Sequence, residues 1–416
     1  MQRSAYAEAI SQLTTALEFL NTLPDTPARA QQELAVQATL GPALMATRGY
    51  AAPDVGKAYT RARELCQHVG ETPQLVPVLW GLRVFYVLRG ELHTARELAE
   101  QLLILAQRMH DPAALLQAYT ALGHSLLYLG EFVAARAHLE EGIALEDPQH
   151  HRALTFRYGI DLGAYCRSFA ALALWMLGYP DQALHQSREA LTLARELSYP
   201  YGLATILVFT ALLHQLRREV HAAQECGEAV IAIAREQGFA QWLARGTTLR
   251  GWALAEGGQD VQGMAEIRQG LAAAQATGGE LARPYYLALL AGAYGKVGQA
   301  NEGLTLLGEA LAAVDTRGER WCEAELYRLK GELLLARSAE DHAEAEACLQ
   351  QALAVARRQQ AKSWELRAAM SLSRLWQRQG KRAEAHQLLA EVYGWFTEGF
   401  DTADLREARA LLEEWA

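Results

Sequence analysis

Histidines, cysteines and glycine–lysine pairs are the residues in this chain whose types offer chemistry, and their spacing decides what chemistry remains open. His150 and His151 stand next to each other beside Asp147, where imidazoles can ligate a metal. A closed site needs about four converging ligands with oriented partners, so the pair reads as part of a solvated loop. The five cysteines (Cys66, Cys166, Cys226, Cys322 and Cys348) are scattered, odd in number and never spaced as CxxC. They read as reduced, mostly buried thiols of a cytoplasmic protein. His124 and His214 have the chemistry of a general base, but neither accompanies a Ser or Cys in a nucleophile-elbow context such as GxSxG. The pairs Gly56-Lys57, Gly295-Lys296 and Gly380-Lys381 lack the upstream glycine and the following hydroxyl of a phosphate-cradling loop. Glu140-Glu141 and Glu413-Glu414 are sequence neighbours on helical patterns and point apart, which makes them solvated faces. No catalytic, metal-binding or cofactor-binding residue emerges, and no cofactor is expected.

The elements that position these side chains are therefore the informative feature. The chain has 416 residues, 51% hydrophobic and 21% charged, with 33 Gly and 11 Pro. That is a globular composition with ample material for a core. A net charge of −9, from 39 Lys+Arg against 48 Asp+Glu, argues against nucleic acid as a partner, because phosphate contacts need a positive patch. The apolar stretch from Tyr201 to Leu213 is about 13 residues, short of the roughly 20 that span a bilayer, so it reads as a core helix and no membrane partner is expected. The first residues, Met1 to Tyr6, carry no apolar signal region.

Short turns recur at Gly49, Gly90, Gly130, Gly178, Gly258, Gly298 and Gly380, separated by 41, 40, 48, 80, 40 and 82 residues. The two wide gaps are each two periods of about 40, with degenerate turns at Arg218 and Ser338. Each turn lies between two amphipathic helical patterns. Tyr119, Leu122, Gly123 and Leu126 share a face before Gly130, and Phe132, Ala135, Leu139 and Gly142 share one after it. Small residues recur in pairs: Gly123 with Ala135, Ala171 with Ala183, Ala211 with Ala223, Gly251 with Gly263, Ala291 with Gly303, Gly331 with Ala345. Paired small residues let two helix axes approach closely.

This code of a small residue in the first helix, Gly at the turn, an aromatic two later and Ala three after that resembles the tetratricopeptide repeat. The resemblance implies an all-α, right-handed superhelical solenoid of helical hairpins, here with a period near 40 residues. Residues 1–22 read as an orphan second helix (Tyr6, Ala9, Leu13, Ala16), which suggests that the array begins further upstream. Residues 23–400 hold about nine helix pairs, with an insertion around Asp147-Pro148-Gln149-His150-His151. Residues 401–416 supply an N-cap at Asp401-Thr402-Ala403-Asp404 and a capping helix through Leu405, Ala408, Leu411 and Leu412.

The two ends carry a second resemblance. Ser371-Leu372-Ser373-Arg374-Leu375-Trp376, Gln379 to Ala385 and Val392 to Leu405 resemble the C-terminus of large bacterial signalling proteins. Those proteins join a class III adenylate/guanylate cyclase, or a kinase, to a STAND-type ATPase and a tetratricopeptide array. Leu23-Pro24-Asp25-Thr26-Pro27, Leu40 to Leu44 and Gly70 to Leu75 resemble the start of that array. The resemblance implies a non-catalytic sensor arm that regulates an attached or associated NTPase or cyclase. The alternative is a free-standing scaffold or signalling-peptide receptor. An enzyme hidden in the array is disfavoured, since the family's catalytic residues find nothing here to map onto.

In a tetratricopeptide superhelix the first helices line the concave groove. Transferring those positions places Trp80, His124, Tyr128, Tyr165, Trp175, Trp252 and Tyr285 on or near the groove, with Arg245, Arg328, Arg367, Arg374 and Arg378 toward the C-terminus. Aromatic and Arg side chains are enriched in binding hot spots. The expected partner is a protein, a peptide, or another domain of the same polypeptide; the ligand and oligomeric state stay open.

Overall fold

The computed structural model describes residues 2–70, 74–146, 161–197 and 199–415. His150, His151 and Asp147 lie outside the described residues, as do Glu71-Thr72-Pro73 and most of the insertion. The described regular structure is helical. α1 (Gln2–Asn21) packs on α2 (Pro27–Arg48), which opens a series of hairpins. These are α2 with α3 (Pro53–Val69), α4 (Leu75–Leu88) with α5 (Leu92–Met109), and α6 (Pro112–Tyr128) with α7 (Phe132–Ala144). α8 (Leu162–Met176) pairs with α9 (Pro180–Leu197), α10 (Pro200–Leu216) with α11 (Val220–Gln237), and α12 (Ala240–Glu256) with α13 (Asp260–Ala276). α14 (Arg283–Lys296) with α15 (Ala300–Arg317), α16 (Glu323–Arg337) with α17 (His342–Arg358) and α18 (Lys362–Arg378) with α19 (Arg382–Tyr393) complete the series, and α20 (Ala403–Trp415) closes it.

Local chemistry explains where these helices begin and end. Thr26, Asp111 and Asp161 accept hydrogen bonds from first-turn amides, and prolines open α2, α3, α6 and α10. At the hairpin turns the chain passes through the left-handed region and closes with one repeated bond. The amide of Glu91 donates to the Tyr86 carbonyl, Glu131 to Leu126, Tyr179 to Leu174, Glu219 to His214, Gln259 to Leu254, Gln299 to Tyr294 and Lys381 to Trp376. Arg218 performs this turn with φ 62°, where six of the others use glycine. Ser338 does not: its φ of −159° is extended, and a short 3-10 turn, Ala339–Asp341, makes the connection.

Within hairpins the paired small residues set the spacing. A Cβ on Gly123 would come within 2.5 Å of Leu139 Cγ and 3.2 Å of the Ala135 carbonyl; one on Gly251 would come within 2.8 Å of the Gly263 carbonyl. Leu139, Ala135, Ala183, Ala223, Ile267 and Ala345 are fully buried in these interfaces.

The stack also closes on itself. The C-terminal carbonyls of four first helices, orphaned within their own helices, accept hydrogen bonds from residues far along the chain. Leu88 accepts from the Glu280 and Leu281 amides, and Tyr128 from the Arg320 and Trp321 amides. Trp175 accepts from Ser363 Oγ, 188 residues away, and Leu216 from Arg367 Nη2. Glu398 accepts from the amides of Asp181 and Gln182, and Arg218 pairs with Asp404 and Glu407. The superhelix therefore completes a turn in somewhat under five repeats, and successive turns rest on one another along a seam.

Candidate functional site

That closure determines which concave residues face a ligand. Tyr128, Trp321, Tyr285, Trp364 and Trp175 form a continuous column of rings along the seam, with successive centroid distances of 5.7, 4.6, 6.4 and 4.8 Å. Tyr285 donates its hydroxyl to Gln215 Oε1 at 2.6 Å, and Trp364 Nε1 donates to the Trp321 carbonyl at 3.0 Å. Arg367 lies over Trp175 and Trp364 and donates to Asp404 Oδ2 at 2.7 Å. Tyr128, Trp175, Tyr285 and Arg367, expected on an open groove, are instead buried between turns, because large flat rings fill the axis of a tightly wound solenoid. Arg328 is held by Glu325 and Glu332, and Arg374 by Glu407. Trp252 is buried in α12, and Arg378 is exposed at the end of α18.

A cavity of about 70 Å³ lies inside the first superhelical turn. It is lined by Tyr50, Trp80, Arg83, Val84, Val87, Leu88, His124, Tyr165, Tyr201, Thr205, Gln241 and Trp242. Five first helices contribute in order: α4 through the face Trp80–Arg83–Val84–Val87, then α6, α8, α10 and α12. Tyr50, in the turn after α2, stacks on Tyr201 at 6.0 Å, and Tyr201 meets Trp242 at 5.8 Å. The walls thus come from both ends of one superhelical turn. Of the residues expected in the groove, the cavity brings together Trp80, His124 and Tyr165.

Arg83 and His124 are its polar floor. Arg83 is 1% exposed, and its Nη2 donates to the Ala121 carbonyl at 3.0 Å and to His124 Nδ1 at 2.6 Å. A guanidinium only donates, so Nδ1 is the acceptor and the imidazole proton sits on Nε2. Burial holds the Arg83 guanidinium down to about 10, still charged at neutral pH. Burial, then the charges of Arg83 and Arg245, hold His124 well below its ordinary value and therefore neutral. His124 stacks on Phe169 at 4.0 Å. Arg245, also buried, stands 5.5 Å over Trp242 and is felt by Tyr165 together with Arg83. Among the described residues no group of three or more His, Cys, Asp or Glu side chains gathers as a metal site, and no helix is long and apolar enough to cross a membrane.

Arg83, Tyr50, Tyr201 and Trp242 were not singled out from the sequence. The available signal was Arg83 itself, the one charge within the apolar run Leu-Val-Pro-Val-Leu-Trp-Gly-Leu-Arg-Val-Phe-Tyr-Val-Leu of α4. A cation in such a run has to be satisfied inside the fold.

No family model matches this chain, and no curated protein matches it. Solved structures do. A Rap protein complexed with competence and sporulation factor is similar with a TM-score of 0.58 at 12% identity, covering 92% of this chain and 100% of the other. Cut9, in the APC/C hetero-tetramer Cut9-Hcn1, is similar with a TM-score of 0.54 at 12% identity, covering 97% of this chain and 74% of the other. NprR in complex with its cognate peptide NprX is similar with a TM-score of 0.50 at 14% identity, over 92% and 98% of the two chains. The fold is a tetratricopeptide-like helical solenoid. At these identities the likeness establishes the architecture, and the functional reading rests on the cavity.

Proposed function

We propose that this solenoid is a non-catalytic receptor that binds a short peptide or chain end in the cavity of its first superhelical turn. The observation that carries this reading is the origin of the walls. Tyr50 and Trp80 come from the start of the turn, Tyr201 and Trp242 from its close, so a ligand seated between them holds the superhelix at one curvature. A solenoid bends along soft modes, and a ligand that prefers one curvature shifts the population toward it. The liganded Rap and NprR structures of similar fold support a signalling-peptide receptor over the other readings. The same receptor would serve as the sensor arm of a nucleotide cyclase or switch ATPase, as the resemblance of the chain's ends implies; the binding event is common to both.

Panning the purified chain against a library of short peptides tests the proposal. Selective binders are expected, and Trp242→Ala or Tyr201→Ala should weaken them at least about tenfold, as for central aromatic contacts. Failure to select any binder, or binders indifferent to both substitutions, would overturn it.

A further inference from the structure

The receptor reading leaves open what chemistry the ligand presents to the floor of the cavity, and the unpartnered atoms there are all of one kind. Arg83 Nε and Nη1 and His124 Nε2 are buried side-chain nitrogens with no hydrogen-bond partner. Since Nδ1 of His124 accepts from Arg83, Nε2 carries the proton, and every one of these atoms is a donor. Two partly buried arginines provide a contrast. Arg29 and Arg167 also have an unpartnered Nε, but Arg29 pairs with Asp25 and Glu33, and Arg167 with Glu146 and Glu189. Among the described residues Arg83 has no carboxylate within ion-pair distance, and neither has Arg245. Trp80 offers Arg83 a ring face at 5.4 Å, which attracts the cation without accepting an N–H bond.

A buried cation beside unfilled donors, at the wall of a cavity, is a site built for an anion. We propose that Arg83 and His124 form a carboxylate subsite, which holds the acidic group of the bound ligand while Trp80, Tyr201 and Trp242 pack against its apolar body. A carboxylate suits this site better than a phosphate dianion. It is planar, carries one charge, and loses less hydration on entering a space of about 70 Å³ walled by aromatic rings. This inference rests on the receptor reading. The ligand's carboxylate is either the C-terminus of a peptide or an Asp or Glu side chain.

The first experiment uses phenylacetate as probe against its neutral isostere phenylacetamide, with the Arg83 Nε–H resonance and tryptophan fluorescence as readouts on the whole chain. Phenylacetate is expected to move both signals and to bind about tenfold or more tighter than the amide. Arg83→Met should abolish that preference. Because Arg83 also holds the Ala121 carbonyl, His124→Phe is the second variant: it keeps the Arg83 cation and the ring stack on Phe169, removes the Nε2 donor together with the Nδ1 acceptor of Arg83, and should reduce the preference without abolishing it. Equal binding of acid and amide, or inorganic phosphate binding as tightly as phenylacetate, would overturn the subsite. Peptides that still depend on Trp242 would then leave the receptor reading standing. Peptide binders remade as C-terminal amides, or with Asp and Glu changed to Asn and Gln, separate the two sources of the carboxylate.

Discussion

Glu319 shows what burial does to one carboxyl in this fold. It is 1% exposed in the join before α16, where it accepts from the Ala282 amide at 3.0 Å and from Trp321 Nε1 at 2.8 Å. Burial nevertheless outweighs those bonds and the nearby Arg245 charge, and pushes its pKa up from 4.5 to about 7. The folded state therefore holds a proton that the unfolded chain releases near the lower value. Between those two values the native state binds more protons, so stability falls as pH rises through the window. Glu319→Gln removes this dependence. It should be more stable than the parent at pH 8, by up to about 3 kcal/mol, and indistinguishable from it below about pH 4.5, as measured by urea midpoints. A difference of the same size at both pH values would refute the account. At this scale the sequence was only partly legible. The repeat positions of Trp80, His124 and Tyr165 put them on or near a concave groove, and all three line the cavity, while the role of Arg83 depends on what surrounds it in space. Nothing local in the sequence says that a cation in α4 meets no carboxylate.

Hairpins were legible because their information is local. The period, the turn residues and the paired small residues all lie within about 40 positions of one another, and each has a direct physical meaning. Gly123 must be small because Leu139 and the Ala135 carbonyl occupy the space beside it, whereas Gly308 in α15 has nothing within 4 Å of where a Cβ would stand. Gly123→Ala should therefore destabilise by about 1–3 kcal/mol through overpacking. Gly308→Ala should stabilise by about 0.5–1 kcal/mol, because an open helical site gains propensity without a clash. Denaturant midpoints of the two variants check the sign of each. Stabilisation in both would mean that helix propensity alone, and not hairpin spacing, governs these glycines. Ser338 marks the edge of what the repeat pattern conveys: a departure from the period was visible there, but its 3-10 connection was not.

For the whole molecule, the decisive contacts join residues nearly 190 positions apart, and no periodicity in a single chain announces them. Tyr128, Trp175 and Tyr285 were assigned to an open groove by a rule that holds when repeats touch only their neighbours. Here the turns of the superhelix touch as well, and the same aromatic residues close the axis. The seam, not the repeat alone, then sets the curvature on which the cavity depends. Arg218 allows a clean test, since its φ of 62° is a conformation that glycine adopts without strain, and glycine fills most of the equivalent turns. Arg218→Gly keeps the local turn and deletes the pairs with Asp404 and Glu407; Glu398→Ala deletes the cap on the amides of Asp181 and Gln182. Each loss is worth about 1 kcal/mol, so the double variant stays folded. Its helical circular dichroism should match the parent while its radius of gyration by small-angle scattering increases, and peptide affinity at the cavity should fall with it. A parent-like radius would show that packing between neighbouring repeats holds the superhelix wound without the seam.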